Sequence, residues 1–310
     1  MTVIDLKTFK EASISFPTVL CLGNFDGVHV GHRELVRETL AQAEAIRAKL
    51  PDVKSGAWFF RRAPLEIITG RSLPHLADLA QKLELFSELG LDYAFICDYE
   101  DIGSFSPEKF VDDVLKRDCG CVYAVCGFNF KFGKGAVGNA ALLSLLMGQK
   151  VSVINEVKLG GETVSSSKIR EHIAGGFIEK ANALLGRSYS VKSPVIHGKK
   201  LGRTLGLPTI NQSLDTEFAT LKNGIYVSRV HVDGQIFPSV SNIGVRPSVE
   251  STASVNCETH IIGFDGDLYG KSVKVEFLKR LRDEIKFDGI DALKAQIQKD
   301  VEQTKEYFKI

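Results

Sequence analysis

The sequence lacks an excess of charge of either sign, since 39 lysines and arginines stand against 38 aspartates and glutamates in 310 residues. Basic and acidic residues are nearly balanced on both sides of Gly186. Neither half therefore has the basic surface that would attract nucleic acids or anionic membranes. The composition therefore predicts neither a nucleic-acid partner nor a membrane partner.

Long apolar runs and cysteine pairs at zinc spacing are also missing. No apolar run reaches the roughly 18 residues of a membrane span, and no signal peptide follows Met1, which together predict a cytoplasmic protein. Cys119 and Cys121 form a C-x-C pair without a second pair, so the six cysteines are not expected to bind metal. Most of them lie in apolar runs, where a thiol packs as a small hydrophobic side chain.

The length predicts two domains, and the order of elements changes near residue 186. Before this point, strand-like apolar runs alternate with helix-like stretches, which is typical of a parallel sheet covered on both faces. Residues 1–185 are therefore predicted to form an α/β domain. Its strands are predicted at Thr18–Leu22, Ala57–Phe60, Tyr93–Cys97, Val122–Cys126 and Val151–Ile154, and its helices at Glu34–Leu50, Ala80–Leu89 and Pro107–Leu115.

After residue 186 the chain shows short strands separated by turns such as Asp233-Gly234. Antiparallel strands that close on themselves leave no exposed edge, so residues 186–310 are predicted to form a small antiparallel barrel. Apolar residues at helical spacing between Ile290 and Phe308 predict a C-terminal helix that packs on it. The barrel strands are predicted at Ser190–Ile196, Gly224–Val232, Ile236–Ile243, Asn256–Ile262 and Ser272–Phe277.

Glycines and histidines are concentrated between the first predicted strand and the first long helix, in the sequence Gly-Asn-Phe-Asp-Gly-Val-His-Val-Gly-His at 23–32. An α/β sheet binds nucleotides at this position, where the helix N-terminus offers free N–H groups to phosphate. His29 and His32 are three residues apart, so both can face one anion. One histidine alone would indicate a capped loop, whereas the pair with its glycines indicates phosphate binding. The residues predicted to bind the nucleotide and its phosphates are Gly23, Asn24, Phe25, Asp26, His29 and His32.

This segment resembles the H-x-G-H signature of the nucleotidyltransferase superfamily, and a second signature follows the fifth predicted strand. The sequence Val-Ser-Ser-Ser-Lys-Ile-Arg at 164–170 resembles the superfamily's I-S-S-T-x-x-R. A serine run before an arginine could by itself be a helix N-cap. The resemblance implies a Rossmann-like domain in which His32 and Arg170 are catalytic. It also implies that nucleotide is bound by Ser165, Ser166, Ser167 and Arg170.

The sequence Gly-Phe-Asn-Phe-Lys-Phe-Gly at 127–133 is similar to the G-x-N-F-x-F-G element of bacterial FAD synthetases. The resemblance implies that Asn129 and Phe130 contact the flavin, although aromatic residues at this spacing also occur in cores. Two positions depart from the family. Arg61-Arg62 stand where a Pro-His-Pro element is usual, and an arginine expected after the Phe-Gly is replaced near Ala136.

The most specific stretch is His-Gly-Lys-Lys-Leu-Gly-Arg-Thr-Leu-Gly-Leu-Pro-Thr-Ile-Asn at 197–211. Its glycines predict a loop over phosphates, with lysine and arginine nearby for charge. Thr209 and Asn211 alternate on an extended segment, so their oxygens point to the same side. Hard oxygens of this kind suit Mg²⁺ bound together with ATP. The residues predicted to bind phosphate here are Gly198, Lys200, Gly202 and Arg203.

This stretch resembles the riboflavin kinase pattern H-G-x-x-x-G-R-x-x-G-x-P-T-x-N, and further elements agree with that family. Asn-Gly-Ile-Tyr at 223–226 resembles its N-G-V-Y strand start, and Cys-Glu-Thr-His at 257–260 resembles the strand with its catalytic glutamate. Residues 281–287 resemble its L-R-x-E-x-x-F element. The resemblance implies that Glu258 is the general base and that Arg282 and Glu284 contact the flavin.

Together the resemblances cover nearly the whole chain and imply a member of the bifunctional riboflavin kinase/FAD synthetase family of bacteria. Riboflavin, ATP, FMN and FAD would be its substrates and products, with Mg²⁺ as cofactor, and it would be a monomer or a weak homo-oligomer. Two alternatives stay open. The N-terminal half could adenylylate poorly or serve another substrate, or the protein could be a flavin-binding sensor without turnover.

Overall fold

A computed structural model describes residues 1–7, 14–198, 206–214, 217–246 and 254–310. The chain divides into two compact units, Met1–Ser165 and Ser166–Ile310. The predicted boundary between residues 185 and 186 lies two helices further along the chain, and it stays a prediction.

The first unit contains a parallel sheet and the helices between its strands. Its strands are β1 Thr2–Asp5, β2 Thr18–Leu22, β3 Lys54–Phe60, β4 Tyr93–Cys97, β5 Cys121–Gly127, β6 Lys131–Phe132, β7 Gly138–Asn139, β8 Val151–Ile154, β9 Lys158–Leu159 and β10 Glu162–Thr163. Its helices are α1 Val30–Arg47, α2 Pro64–Thr69, α3 Leu79–Glu88, α4 Tyr99–Ile102, α5 Pro107–Lys109 with a π-helical continuation over Phe110–Asp118, and α6 Ala140–Leu146.

Six strands of this unit pair in the order β1-β4-β3-β2-β5-β8, all parallel. The alternating side chains of β2 show that both faces are covered, since Leu20 and Leu22 belong to one apolar cluster and Cys21 to another. All five predicted strands lie in this sheet, and the predicted α/β fold is confirmed. Of the six strands in this parallel sheet, the edge strand β1 was not predicted, because four residues with a largely exposed pattern give little sequence signal.

The second unit is a closed barrel preceded by a pair of helices and followed by one long helix. Its elements are α7 Ser166–Gly175, α8 Ile178–Leu185, β11 Tyr189–Ile196, β12 Thr209–Leu214, β13 Gly224–Val232, β14 Gln235–Arg246, β15 Ser254–Ile261, β16 Ser272–Arg282 and α9 Ile290–Phe308. The antiparallel barrel order is β11-β12-β15-β14-β13-β16. The predicted barrel and its C-terminal helix are confirmed, with β12 as a sixth strand.

The interior of the barrel contains hydroxyl groups as well as apolar side chains. The Ser228 hydroxyl lies 2.8 Å from that of Ser239 and 2.7 Å from that of Ser241, and the Ser241 hydroxyl lies 2.7 Å from that of Thr259. All four residues are fully buried. Since strand residues alternate between faces, Glu258 next to Thr259 faces away from this interior.

Candidate active sites

The loop between β2 and α1 has an unusual backbone. Phe25 and Val28 have positive φ values of 51° and 41°, a region that few non-glycine residues adopt. The Phe25 ring is fully buried and packs edge-on against Phe59 and Phe86. Gly23 leaves room for that ring, because a Cβ at Gly23 would lie 3.3 Å from it. Of the predicted nucleotide contacts, Phe25 therefore anchors the loop in the core and offers a ligand only its backbone.

The two histidines of the motif stack at the start of α1. Their ring centroids are 3.6 Å apart at an interplanar angle of 12°. His29 is the N-cap, and its Nδ1 accepts a hydrogen bond from the His32 backbone N–H at 3.3 Å. A neutral His29 therefore carries its proton on Nε2. The structure thus brings both predicted histidines to the N-terminus of α1, as the spacing predicts.

His32 is held in its neutral form. Burial, the neighbouring His29 and the ammonium of Lys82 each lower the pKa of His32, which lies well below its ordinary value. Its Nδ1 is buried and has no hydrogen-bond partner in the part of the chain that the structure describes. At neutral pH, His32 can therefore donate or accept a hydrogen bond but does not bring a charge to a bound phosphate.

Two hydrogen bonds connect the motif loop to residues further along the chain. Asp26 Oδ1 accepts a hydrogen bond from the Leu76 backbone N–H at 2.9 Å, and Lys82 Nζ donates to the Asn24 carbonyl at 3.4 Å. Sequence analysis did not single out Lys82. It is one lysine in a predicted helix, and its burial is visible only in the fold.

Arg61, one of the departures from the family, forms two ion pairs. Its Nη2 lies 2.5 Å from Asp5 at the end of β1, and its Nε lies 2.9 Å from Asp98, which follows β4. Arg61 therefore ties the carboxyl ends of neighbouring strands together. Arg62 is exposed, and Ala136 adopts a positive φ of 57° in a turn that follows β6.

The aromatic residues of the 127–133 element have different environments. Phe132 is in the core against Phe110, with ring centroids 5.4 Å apart, and Phe130 is half-buried and stacks on Phe132 at 5.7 Å. Phe128 is 52% exposed, and Asn129 beside it is exposed. The alternative that these aromatic residues belong to the core holds for Phe132. Phe128 and Asn129 are exposed and Phe130 is half-buried, so a planar ligand could reach these three residues but not Phe132.

The serine run and Arg170 begin α7. Ser165 is the last residue of the first unit, whereas Ser166, Ser167 and Arg170 belong to the second. Arg170 is half-buried, one helical turn after Ser166 and Ser167.

Strand pairing assembles the predicted kinase residues in the second unit. Asn211 on β12 lies directly opposite Glu258 on β15, and Thr209 lies opposite His260. Directly opposite residues of antiparallel strands share a face, so Thr209, Asn211 and Glu258 lie together. Asn211 is only 5% exposed, whereas Glu258 is half-exposed. The structure therefore brings the predicted metal ligands next to the predicted base, across 49 residues of sequence.

Gly198 packs against the Asn211 side chain. A Cβ at Gly198 would lie 2.5 Å from the Asn211 amide, so any other residue there would displace it. His197 stacks on Tyr269 with ring centroids 4.1 Å apart. The other predicted phosphate contacts of this loop, Lys200, Gly202 and Arg203, lie outside the described residues.

Two asparagines that sequence analysis missed flank Glu258. Asn256 Nδ2 donates to Glu258 Oε1 at 3.1 Å. Asn242 on β14 lies directly opposite Glu258, and its buried Oδ1 has no hydrogen-bond partner among the residues that the structure describes. The period of two along β15 would have placed Asn256 on the face of Glu258, whereas the position of Asn242 depends on pairing with another strand.

The two predicted flavin contacts near the end of β16 differ in their surroundings. Arg282 is paired with Asp300 of α9, with Nε 3.0 Å from Oδ1 and Nη2 2.6 Å from Oδ2. Glu284 Oε1 lies 2.6 Å from the position of a Cβ on Gly244, which is opposite Asn256. Glu284 therefore lies beside the face that carries Glu258, while Arg282 fastens the barrel to α9.

The donor set of this face fits Mg²⁺ chemically. Thr209 and Asn211 offer a hydroxyl and an amide oxygen, and Mg²⁺ takes few protein oxygens while keeping waters and substrate phosphates as its other ligands. In the ranges that the structure covers, no group of three or more His, Cys, Asp or Glu side chains could hold a metal by itself. The ion would therefore depend on a bound nucleotide for most of its ligands.

Comparison with known proteins identifies both units. Residues 12–168 match the family model for FAD synthetase, and residues 185–308 match that for riboflavin kinase. The bifunctional riboflavin kinase/FMN adenylyltransferase of Haemophilus influenzae is 32% identical over 295 residues, covering 93% of this chain and 94% of its own. The chain belongs to the bifunctional riboflavin kinase/FMN adenylyltransferase family. The Pseudomonas fluorescens member is 34% identical over 287 residues, which cover 91% of this chain and 90% of its own.

One solved structure resembles this chain over nearly its whole length. A Streptococcus pneumoniae protein described as a macrolide-efflux protein has a TM-score of 0.88 and 27% identity, covering 98% of this chain and 99% of its own. In this chain, none of the helices that the structure describes is long and apolar enough to cross a membrane.

Proposed function

We propose that the barrel unit phosphorylates riboflavin to FMN and that the N-terminal FAD synthetase region adenylylates FMN to FAD, each with ATP, the second step releasing pyrophosphate. The observation that carries the proposal is the pairing of Asn211 with Glu258, since it brings an amide side chain beside a carboxylate, as a Mg²⁺–ATP site with a general base requires. The balanced charge of the chain supports small-molecule substrates rather than nucleic acid. We also propose that the protein acts in the cytoplasm as a monomer or a weak homo-oligomer.

In riboflavin phosphorylation, Glu258 accepts the proton of the ribityl 5′-hydroxyl as that oxygen attacks the γ-phosphate of ATP, and ADP leaves as the bond between the γ-phosphorus and the bridging oxygen breaks. Asn256 holds the carboxylate by its hydrogen bond to Oε1. Thr209 and Asn211 would hold Mg²⁺, which neutralises charge on the phosphates when it is bound. Glu284 lies beside this face and would orient the flavin, as would Arg282, which Asp300 of α9 holds in place. Gly198, Lys200, Gly202 and Arg203 would surround the phosphates.

In adenylyl transfer, the phosphate of FMN is already ionised at neutral pH and attacks the α-phosphate of ATP without a general base. The N–H groups at the start of α1 and the Nε2–H of His29 stabilise the charge that develops there. His32 acts as a neutral hydrogen-bonding group, and Arg170 would bring the positive charge to the leaving pyrophosphate. Asn129 and Phe130 would contact the flavin, and Ser165, Ser166 and Ser167 the nucleotide.

The proposed function predicts two products in sequence. The purified chain incubated with riboflavin, ATP and Mg²⁺ should form FMN first and then FAD, separated by chromatography and detected by flavin fluorescence. Incubation with FMN in place of riboflavin isolates the second step. Accumulation of FMN alone would show that the N-terminal region serves another substrate, and binding of flavin without any product would indicate a sensor.

The helices α7 and α8 allow a prediction about fragments. The Asn182 amide on α8 donates to the Phe277 carbonyl at 2.8 Å and accepts from the Tyr189 N–H at 2.7 Å, so α8 is joined to the barrel. We expect a fragment of Ser166–Ile310 to fold and to phosphorylate riboflavin. A fragment that begins at Gly186 loses these bonds and the buried residues of α8, so it should unfold at a lower temperature. Thermal unfolding and FMN production by both fragments test this, and equal unfolding temperatures would contradict it.

A further inference from the structure

Lys82 on α3 is a buried lysine that the mechanism does not use. The residue is only 8% exposed, and its Nζ donates to the Asn24 carbonyl at 3.4 Å. Lysine is almost never buried unless it is paired, because an ammonium group loses much hydration energy in the interior. Within the part of the chain that the structure covers, no carboxylate oxygen lies at ion-pair distance from Nζ.

The carboxylates near Lys82 have other partners. Asp26 accepts from the Leu76 N–H at 2.9 Å, and Asp78 caps α3 by accepting from the Gln81 N–H at 2.7 Å. The buried Glu66 accepts from the Leu73 N–H at 2.9 Å and lies 3.4 Å from His75 Nε2. These three groups attract the ammonium from a distance, but none neutralises it directly. The ammonium of Lys82 thus touches the loop at Asn24, while its nearby carboxylates act on it only at longer range.

The position of this charge relates it to the motif loop. Lys82 Nζ contacts the residue before Phe25, which has a positive φ, and its charge is felt at His32, where it contributes to the lowered pKa. The loop precedes the N-terminus of α1, where free N–H groups also favour an anion. A polyphosphate at this place would supply the negative charge that Lys82 lacks.

We propose that Lys82 is a positioning residue for adenylyl transfer, which fixes the Asn24 carbonyl and supplies the positive charge that the polyphosphate of ATP balances. The inference rests on the proposed adenylyltransferase function. A residue of α3, outside the glycine and histidine motif, would then contribute to nucleotide binding. Loss of the charge should therefore affect ATP more than FMN.

Lys82→Met should lower kcat/KM for ATP in FAD synthesis by roughly ten- to a hundredfold, the range for hydrogen bonds that involve a charged group. The KM for FMN should change much less. Lys82→Arg keeps the charge and should retain most of the activity. Lys49→Met removes an exposed lysine from the same unit and serves as the matched control. Circular dichroism and thermal unfolding of the same preparations check that each variant is folded, because riboflavin phosphorylation reports only on the other unit.

The pH dependence of KM for ATP distinguishes whether Lys82 acts through its charge or only as a structural support. Burial lowers the pKa of Lys82, while Asp26, Glu66 and Asp78 oppose that effect, and His32 and His75 are the other titratable groups nearby. A lysine with a lowered pKa loses its proton at a lower pH than a free one, so KM for ATP should rise on the alkaline side in the wild-type protein. Lys82→Arg stays charged there and should show a flatter profile.

Two results would overturn the proposal. The first is a wild-type KM for ATP in Lys82→Met. The second is an equal loss in Lys82→Met and Lys82→Arg with an unchanged alkaline profile, which would make Lys82 a structural residue. If the wild-type chain makes FMN but no FAD, the proposed adenylyl transfer fails. Calorimetric binding of inorganic pyrophosphate then decides about Lys82, since Lys82→Met should weaken binding and Lys82→Arg should not.

Discussion

Replacing Glu258 by glutamine should lower riboflavin phosphorylation by about 10²- to 10⁴-fold, the range that general base catalysis contributes. FAD synthesis from supplied FMN should persist, because Glu258 lies in the riboflavin kinase match. The substitution keeps the size of the side chain and its capacity to accept from Asn256, and it removes only the proton acceptor. Steady-state FMN production with saturating ATP and Mg²⁺ measures the effect.

Thr209→Ala is the matched comparison on the same face of the barrel. It removes a proposed Mg²⁺ ligand rather than a base, so high Mg²⁺ should restore part of its activity and none of that of Glu258→Gln. A Mg²⁺ titration of both variants therefore distinguishes the two roles. If Glu258→Gln turns over like the wild type, Glu258 is only a solvated strand residue and the base lies elsewhere.

Replacing His32 by alanine should depress FAD formation by about 10²- to 10³-fold, equivalent to about 2.7–4 kcal/mol, as expected for loss of one donor to a developing oxyanion. FMN formation should stay near normal, because His32 lies in the parallel-sheet unit. The measurement is the rate of FAD formation from FMN and ATP, with FMN formation from riboflavin as the internal control. An unchanged rate from FMN to FAD would refute the assignment.

The neutral state of His32 adds a pH test to this substitution. Because its pKa lies well below the ordinary value of 6.5, His32 becomes protonated only at a pH far below that point. The wild-type rate of FAD formation should therefore show no loss near pH 6.5 that disappears in His32→Ala. A rate that falls as the pH rises through 6.5, in the wild type but not in His32→Ala, would mean that His32 titrates normally and acts as a cation.

Sequence patterns predicted the fold well where they were long and periodic. The five predicted strands of the parallel sheet and α9 agree with the structure, because alternating or helical apolar patterns extend over whole elements. β12 was predicted only as an extended segment, since Thr-Ile-Asn-Gln-Ser-Leu at 209–214 is largely polar. Its strand character depends on hydrogen bonds with β11 and β15 that no local pattern encodes.

The candidate sites were predictable to the extent that their residues lie in motifs. The two histidines, Thr209, Asn211 and Glu258 stand in short patterns with unusual composition, and the structure places them together within their units. Asn242 and Lys82 are ordinary residues in sequence, and only the pairing of strands and the packing of α3 show where they lie. The ion pair of Arg282 with Asp300 likewise joins β16 to a helix further along the chain.

The buried hydroxyls of the barrel have a consequence for how the chain avoids misfolding. A slip of one residue between β14 and β15 would turn Glu258 inward and Thr259 outward, and the hydrophobic pattern alone resists such a slip. A slip of two residues keeps every side chain on its own face, so an entirely aliphatic interior would tolerate it. The hydrogen bond between Ser241 on β14 and Thr259 on β15 is broken by either error. Buried hydroxyls thus help to determine that Glu258 stands opposite Asn242, and a barrel refilled with valine could gain stability while losing that selectivity.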